Sequence, residues 1–162
     1  MPVVLTLFAV AVAILFSTHA MAQGVVMQRN LSLGMAKTIA EASVGACKAK
    51  GFNTSAVVVD RAGQVMVMLR DEQATVQMLE MARRKAYTAR MFRMTTLEFQ
   101  KRTLDPVYAP QRDIAEILAL GGGVPIQVGT DTIGGVGSAG SNQQMDEDCA
   151  KAGIAAVADL LR

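Results

Sequence analysis

The chain has 162 residues, a formal net charge of +2 and a hydrophobic fraction of 51%. A chain of that length forms one domain and can bury a core large enough to fold alone. Aromatic side chains make up only 4% of the residues and tryptophan is absent, so the chain has no platform for stacking bases and we exclude a nucleic-acid partner.

Residues 1–22, MPVVLTLFAVAVAILFSTHAMA, carry no charged side chain and end in an A-x-A pattern. This is typical of a secretory signal peptide cleaved before Gln23, and it predicts a periplasmic or secreted protein. No lysine or arginine precedes the apolar run, so an N-terminal membrane anchor is the alternative, although a membrane span needs about 20 apolar residues. We expect a linker over residues 23–30 and one domain over residues 31–162.

The only histidine, His19, lies in that predicted signal peptide. The mature chain would therefore lack the base of Ser-His-Asp and Cys-His catalysis and the imidazole ligands of zinc sites. Two cysteines, Cys47 and Cys149, cannot make a metal site by themselves, and we predict none. In an oxidising compartment they could form a disulfide, with two separately buried thiols as the alternative.

The first predicted helix follows Leu31. Ser32 is a plausible N-cap, and Gly51 a plausible stop. Apolar or small residues recur at steps of three and four, which predicts one buried stripe. The stripe consists of Met35, Ile39, Ala42, Ala46 and Ala49.

Two β-rich runs come next, over residues 55–60 and 64–70, separated by a short turn that contains Gly63. This pattern predicts an antiparallel hairpin. The first run is apolar on both faces, which favours a central strand covered on each side.

Helical spacing returns over residues 75–92 and displays a basic surface. Seven lysines and arginines but only one acid, Glu98, lie between residues 83 and 102. Residues 95–109 are broken by prolines and predict a short helix followed by a surface loop. Beyond Pro110 we expect an irregular approach into a strand near Leu118.

Residues 124–128 and 132–137 predict a second hairpin around Gly129. Acids at residues 146–148 open a last predicted helix that runs through Leu161, since acids are favoured at a helix N-terminus. The resulting order of helix, hairpin, helix, hairpin and helix predicts an α+β domain with an antiparallel sheet.

Residues 135–140, GVGSAG, match the G-x-G-x-x-G pattern of dinucleotide sites. Such a site needs a second parallel strand downstream, but the 22 residues after Gly140 suffice for only one helix. We therefore reject a nucleotide loop. Glycines in strands allow another backbone or a flat ligand to approach closely, and both remain open.

Five segments, in this order, resemble the GlcG/HbpS family of heme-binding or heme-degrading-type domains, which is similar to the C-terminal domain of PduO-type proteins. The segments are AVVVDRAG (56–63), ARRKAYTA (82–89), GGGVPI (121–126), GGVGSAG (134–140) and DCAKAG (148–153). Together they span nearly all of the predicted domain.

The resemblance implies a five-stranded antiparallel sheet flanked by helices, with a profilin-like arrangement. It also implies a homo-oligomer that binds heme or a related tetrapyrrole, and a sensor protein as partner for some exported relatives. Fold and function are separate questions in such a family, because many relatives have no established reaction.

Basic residues could pair with the carboxylates of such a ligand, and glycine backbones could flank its plane. The candidate contacts are Arg83, Arg84, Lys85, Thr88, Arg90, Gly121, Gly122, Gly123, Gly137 and Ser138. An axial ligand for heme iron is usually His, Cys, Met or Tyr. The candidates among the residues left are Met35, Tyr87 and Tyr108, with Met66 and Met68 of the first hairpin.

Three functions stay open at this stage. The first is an exported protein that binds a planar or anionic small molecule, with heme or a related tetrapyrrole as the cofactor. The second is an enzyme that acts on heme or on a small anionic metabolite. The third is a structural or signalling oligomer without a cofactor, in which the glycine-rich strands serve subunit packing.

Overall fold

The computed structural model describes residues 24–162, so the predicted signal peptide of residues 1–22 lies outside the described residues. Four helices and four strands follow in chain order. They are α1 (Leu33–Lys48), β1 (Ser55–Val59), β2 (Val65–Arg70), α2 (Val76–Phe92), α3 (Thr96–Arg102), β3 (Gly123–Val128), β4 (Asp131–Ala139) and α4 (Gln143–Ala155). Short 3-10 turns cover Ala109–Asp113 and Ala158–Leu160.

The strands form one antiparallel sheet in the order β2-β1-β4-β3. The predicted α+β class is confirmed, and β1 is central and buried along its whole length, as its apolar sequence predicts. The expected number of five strands is wrong for residues 24–162, where the sheet has four.

The missing strand is the one expected near Leu118. Its backbone is bonded to side chains of α2 instead of a neighbouring strand: Thr88 Oγ1 accepts from Leu118 N at 2.9 Å, and Arg84 donates to Ile117 O at 2.6 Å. Since those backbone groups already have partners, nothing drives the segment into the sheet.

Alternate residues of the strands face different helices. Val58 and Val136 face α1 and α4, where they join the larger core, while Val57 and Val59 face α2. The sheet therefore separates a layer of two helices from a layer that contains α2.

On the two-helix face, Cys47 of α1 and Cys149 of α4 form a disulfide. Of the two alternatives that the sequence leaves open, the structure shows the bonded pair. The bond joins α1 directly to α4 and closes a loop of 102 residues.

Helix ends follow their capping side chains. Ser32 Oγ accepts from Met35 N, which confirms the predicted start of α1. Asn142 caps α4 in the same way, so α4 begins at Gln143, three residues before the predicted start at Asp146.

None of the helices in residues 24–162 has the length and apolarity that crossing a bilayer demands.

Glycines of β4 bring α2 unusually close to the sheet. A Cβ atom on Gly137 would lie 2.1 Å from Ala82 O, and one on Gly135 would lie 2.4 Å from Ala86 O. Both oxygens belong to the backbone of α2. The close-approaching group at these glycines is thus the backbone of the chain's own helix.

Candidate functional site

A cavity of about 750 Å³ lies between the N-terminal ends of α2 and α4. Its apolar lining comes from Met78 and Met81 of α2, Leu97 of α3 and Leu120 of the loop before β3. Apolar walls with a few polar groups are the usual composition of a small-molecule site. This cavity is the candidate functional site.

The N-termini of both helices lie at the site, and a side chain caps each of them. Thr75 accepts from Met78 N at the start of α2, and Asn142 accepts from Met145 N at the start of α4. The first N–H groups of a helix point outward and carry a partial positive charge. Both helix N-termini therefore place partial positive charge at the edge of the cavity.

A buried ion pair joins α2 to α4 beneath the cavity. Lys85 Nζ donates to Asp146 Oδ2 at 2.8 Å and to Ser138 O at 3.0 Å, and the two charged side chains are 1% and 3% exposed. Asp146 Oδ1 in turn accepts from Ser141 N at 3.0 Å and from Ser141 Oγ at 2.6 Å. Burial lowers the pKa of Lys85, and the carboxylate of Asp146 opposes that shift.

This ion pair accounts for the placement of several predicted contacts. Lys85 lines the cavity, while Ser138 offers its backbone oxygen to Lys85 from inside the fold. Gly122, at φ +122°, lies against the same amine, since a Cβ there would be 2.9 Å from Lys85 Nζ. Gly121 is packed by Leu97. Of these four residues, only Lys85 lines the cavity.

Gly123 and Gly137 are covered by the backbone of α2. A Cβ on Gly123 would lie 2.3 Å from Lys85 O. These two glycines therefore position α2, and through it Lys85, instead of facing a free volume.

Arg83 lies on the outer side of α2 and makes ion pairs with Glu80 and Glu116. The hydrogen bond that Arg83 donates to Glu80 is the largest cause of a raised Arg83 pKa. This arginine does not line the cavity, and its charge is matched by two acids.

Arg84 and Thr88 hold the loop before β3 through the bonds to residues 117 and 118 described above. The same loop continues to Leu120 in the cavity wall. The two side chains thus support the site from outside without lining it.

The predicted axial candidates lie away from the cavity. Met35 packs against the core on the two-helix face, Tyr87 packs on the turn at Gly63, and Arg102 stacks on the Tyr108 ring at 4.3 Å. Met66 and Met68 belong to β2, on the edge of the sheet.

Sequence reasoning missed Met78 and Met81. A signal was available, because Met78, Met81 and Lys85 are spaced by three and four residues on one helix and so share a face. The residues that complete the site, Leu97 and Asp146, come from segments distant in sequence.

The residues present fit a tetrapyrrole. Two methionine thioethers line the cavity, and Met is one of the side chains that hold heme iron. Residues 24–162 contain no histidine, and their two cysteines are bonded to each other. Apolar walls suit a porphyrin face, and the N-terminus of α4 suits its carboxylates. No three carboxylate, thiol or imidazole groups of the described part cluster closely enough to hold a bare metal ion.

Comparison with known proteins identifies the family to which the chain belongs. The model of the family described as haem degrading protein HbpS-like matches residues 31–155. HbpS of Streptomyces reticuli, solved as a double mutant, is 34% identical with a TM-score of 0.78, and the match covers 86% of this chain and 96% of that one.

Two further solved structures are similar. A PduOC–heme complex is 25% identical with a TM-score of 0.71, covering 79% of this chain and 95% of that one. Klebsiella pneumoniae ORFY is 22% identical with a TM-score of 0.77, covering 85% and 97%, and shares the fold. No curated protein sequence matches the chain.

Proposed function

Because the chain belongs to the HbpS-like family, we propose that it is an exported protein that binds heme or a related tetrapyrrole and works as a homo-oligomer. The observation that carries the proposal is the cavity of about 750 Å³ with two thioethers in an apolar wall. A heme complex of PduOC, a protein of the same fold, supports it.

Met78 or Met81 would hold the iron, and Leu97 and Leu120 would pack on the macrocycle and exclude water. Bound heme would supply a redox-active, strongly absorbing iron centre. The buried Lys85–Asp146 pair keeps α2 and α4, and hence the two sides of the cavity, at a fixed separation.

Titration of hemin into the purified protein tests this proposal. We expect a saturable shift of the Soret band. The double variant M78L/M81L keeps the volume and apolarity of the wall but removes both thioethers, and we expect it to weaken binding by about tenfold or more, which is about 1.4 kcal/mol.

Met35→Leu is the matched control, because Met35 packs in the opposite layer. This variant should leave the titration unchanged. Absence of any saturable Soret shift in the unaltered protein would overturn the proposal. An unchanged M78L/M81L titration would show that the thioethers do not hold the iron.

Enzymatic action on heme is the second candidate function. One observation favours it: the amine of Lys85, with a lowered pKa, and the carboxylate of Asp146 lie together at the cavity. A tuned amine beside a carboxylate is a common acid–base pair. Steady loss of the heme spectrum with a reductant and oxygen, abolished in a folded Lys85→Arg variant, would favour catalysis over binding.

Export and assembly have direct tests. Mass spectrometry of the protein recovered from outside the cytoplasm should give a chain that begins at Gln23, whereas an intact N-terminus in the membrane fraction would favour an anchor. Val65 and Met68, 43% and 41% exposed on edge strand β2, offer an apolar surface for a second copy. Light scattering after gel filtration should therefore give a mass above that of a monomer.

A further inference from the structure

A second cavity, of about 400 Å³, lies at the opposite end of α2 from the first. The turn between β1 and β2 contributes Asp60, Arg61 and Ala62, α2 contributes Arg90, and the segment before α1 contributes Gln28 and Asn30. It shares no lining residue with the large cavity. The proposed tetrapyrrole site therefore does not account for it.

Arg90, which lines this cavity, carries a polar group that the fold does not satisfy. Within residues 24–162 its Nε is buried and has no hydrogen-bond partner. Buried donors in folded proteins nearly always have an acceptor, which makes this Nε an exception. Burial lowers the pKa of Arg90, and the positive charges of Arg61 and Arg93 lower it further.

The acids nearby are engaged elsewhere. Asp60 Oδ1 accepts from Ala62 N at 2.8 Å and from Gln64 N at 2.9 Å, which holds the turn. Asp131 forms an ion pair with Arg61 at 2.9 Å. Neither acid forms an ion pair with Arg90.

We propose that this cavity is a binding site for a small oxyanion, a carboxylate or a phosphate group, held by the guanidinium of Arg90 with Arg61 beside it. A guanidinium presents its N–H groups in a planar fork that matches both kinds of oxyanion. The bound anion accepts from the guanidinium of Arg90 and offsets the repulsion between the arginines. The amides of Gln28 and Asn30 add neutral donors at the rim.

The geometry separates this site from the exposed basic residues of the same segment. Arg83 forms ion pairs with two acids, and Arg102 stacks on a tyrosine ring. Arg90, in contrast, has a buried Nε without a partner in residues 24–162 and lines a cavity. Binding at this site should therefore depend on Arg90, with a contribution from Arg61, and not on the overall positive charge.

Calorimetric titration of the full purified protein with inorganic phosphate, and separately with acetate and succinate, tests the proposal at constant ionic strength in chloride. We expect saturable binding of at least one of these anions, and the arm that binds identifies the class. Arg90→Gln should weaken it by tenfold or more, and Arg90→Lys, which keeps charge but loses the fork, should also weaken it.

Arg102→Gln is the control, since it removes one positive charge from the same basic segment, and it should bind as the unaltered protein does. Asp131→Asn frees Arg61 from its ion pair, and we expect it to tighten binding. Circular dichroism shows whether each variant is folded; if Arg90→Gln is not, Arg61→Gln takes its place.

No saturable binding of any of the three anions would overturn the proposal, as would equal binding by Arg90→Gln and the unaltered protein. The hemin titration provides an independent control, because Arg90 is absent from the large cavity. Arg90→Gln should therefore leave the Soret shift intact, so failure of one proposal is distinguishable from failure of the other.

Discussion

Gly137→Ala probes the contact between α2 and the sheet with a single methyl group. The added Cβ would lie 2.1 Å from Ala82 O and 2.7 Å from Ala86 N. Both are backbone atoms in the middle of a helix, so neither can rotate away as a side chain would. Either α2 must move off the sheet or β4 must bend.

The size of the effect follows from the distance. Carbon atoms in van der Waals contact are about 3.5–4.0 Å apart, so α2 must retreat by more than about 1 Å. A gap of that width forfeits about a quarter to a half of the dispersion energy of the facing atoms, which here belong to a core that includes Val57 and Val59. Overpacking typically costs 1–3 kcal/mol, and we expect about 3 kcal/mol because the obstructing atoms are backbone.

Urea denaturation followed by circular dichroism measures this loss as a lower midpoint at constant slope. A loss of about 3 kcal/mol corresponds to a melting temperature lower by about 10 °C. Gly45→Ala is the control: Gly45 lies on the exposed side of α1, and a Cβ added there would have no neighbouring atom within 4 Å, so helix propensity should stabilise that variant by up to about 1 kcal/mol. A Gly137→Ala variant within about 0.5 kcal/mol of the unaltered protein would refute the close-approach argument.

Three further perturbations have defined outcomes. Lys85→Met leaves the buried carboxylate of Asp146 without its positive partner and should lower the free energy of unfolding, measured with urea, by about 3–5 kcal/mol. The double variant with Asp146→Leu should recover most of that loss. Reducing the bond between Cys47 and Cys149 opens a 102-residue loop and should cost about 4–5 kcal/mol in the chain-entropy model, with two thiols titrating only after reduction. A hydrogen bond from a lysine of α1 lowers the pKa of Asp71; its stabilisation is present above the unfolded-state pKa of about 3.9 and is lost as the pH falls through the lower folded value. The urea concentration at the unfolding midpoint should therefore decrease as the pH is lowered below about 4, and it should decrease less steeply for Asp71→Asn. An equal dependence of the midpoint on pH in both proteins would contradict this.

Local patterns in the sequence predict most of the fold. The cap at Ser32, the helical spacing over residues 75–92 and the turns at Gly63 and Gly129 depend on neighbours within a few residues, so they can be read without knowing the tertiary structure. The expected strand near Leu118 was wrong because the conformation of that segment depends on residues distant in sequence. The partners of its backbone, Arg84 and Thr88, stand about 30 residues earlier in the chain.

The candidate site was harder to predict than the fold. Lys85 was named from the sequence, but its partner Asp146 lies 61 residues away and was read only as a helix-opening acid. Composition shows a cluster of cations between residues 83 and 102, and it does not show which of them are matched by acids. Glu80 pairs with Arg83 from three residues earlier on the same helix, whereas the pairing of Arg83 with Glu116 and the unpartnered Nε of Arg90 within residues 24–162 depend on tertiary contacts.

The backbone contact between α2 and the glycines of β4 bears on how this domain can evolve. Main-chain atoms, which no substitution alters, set the height of α2 above the sheet at Gly135 and Gly137. Met78 and Met81 line the cavity and pack only partly buried against the core beneath α2. Relatives could therefore exchange those two positions, and with them the lining of the cavity, while keeping one scaffold.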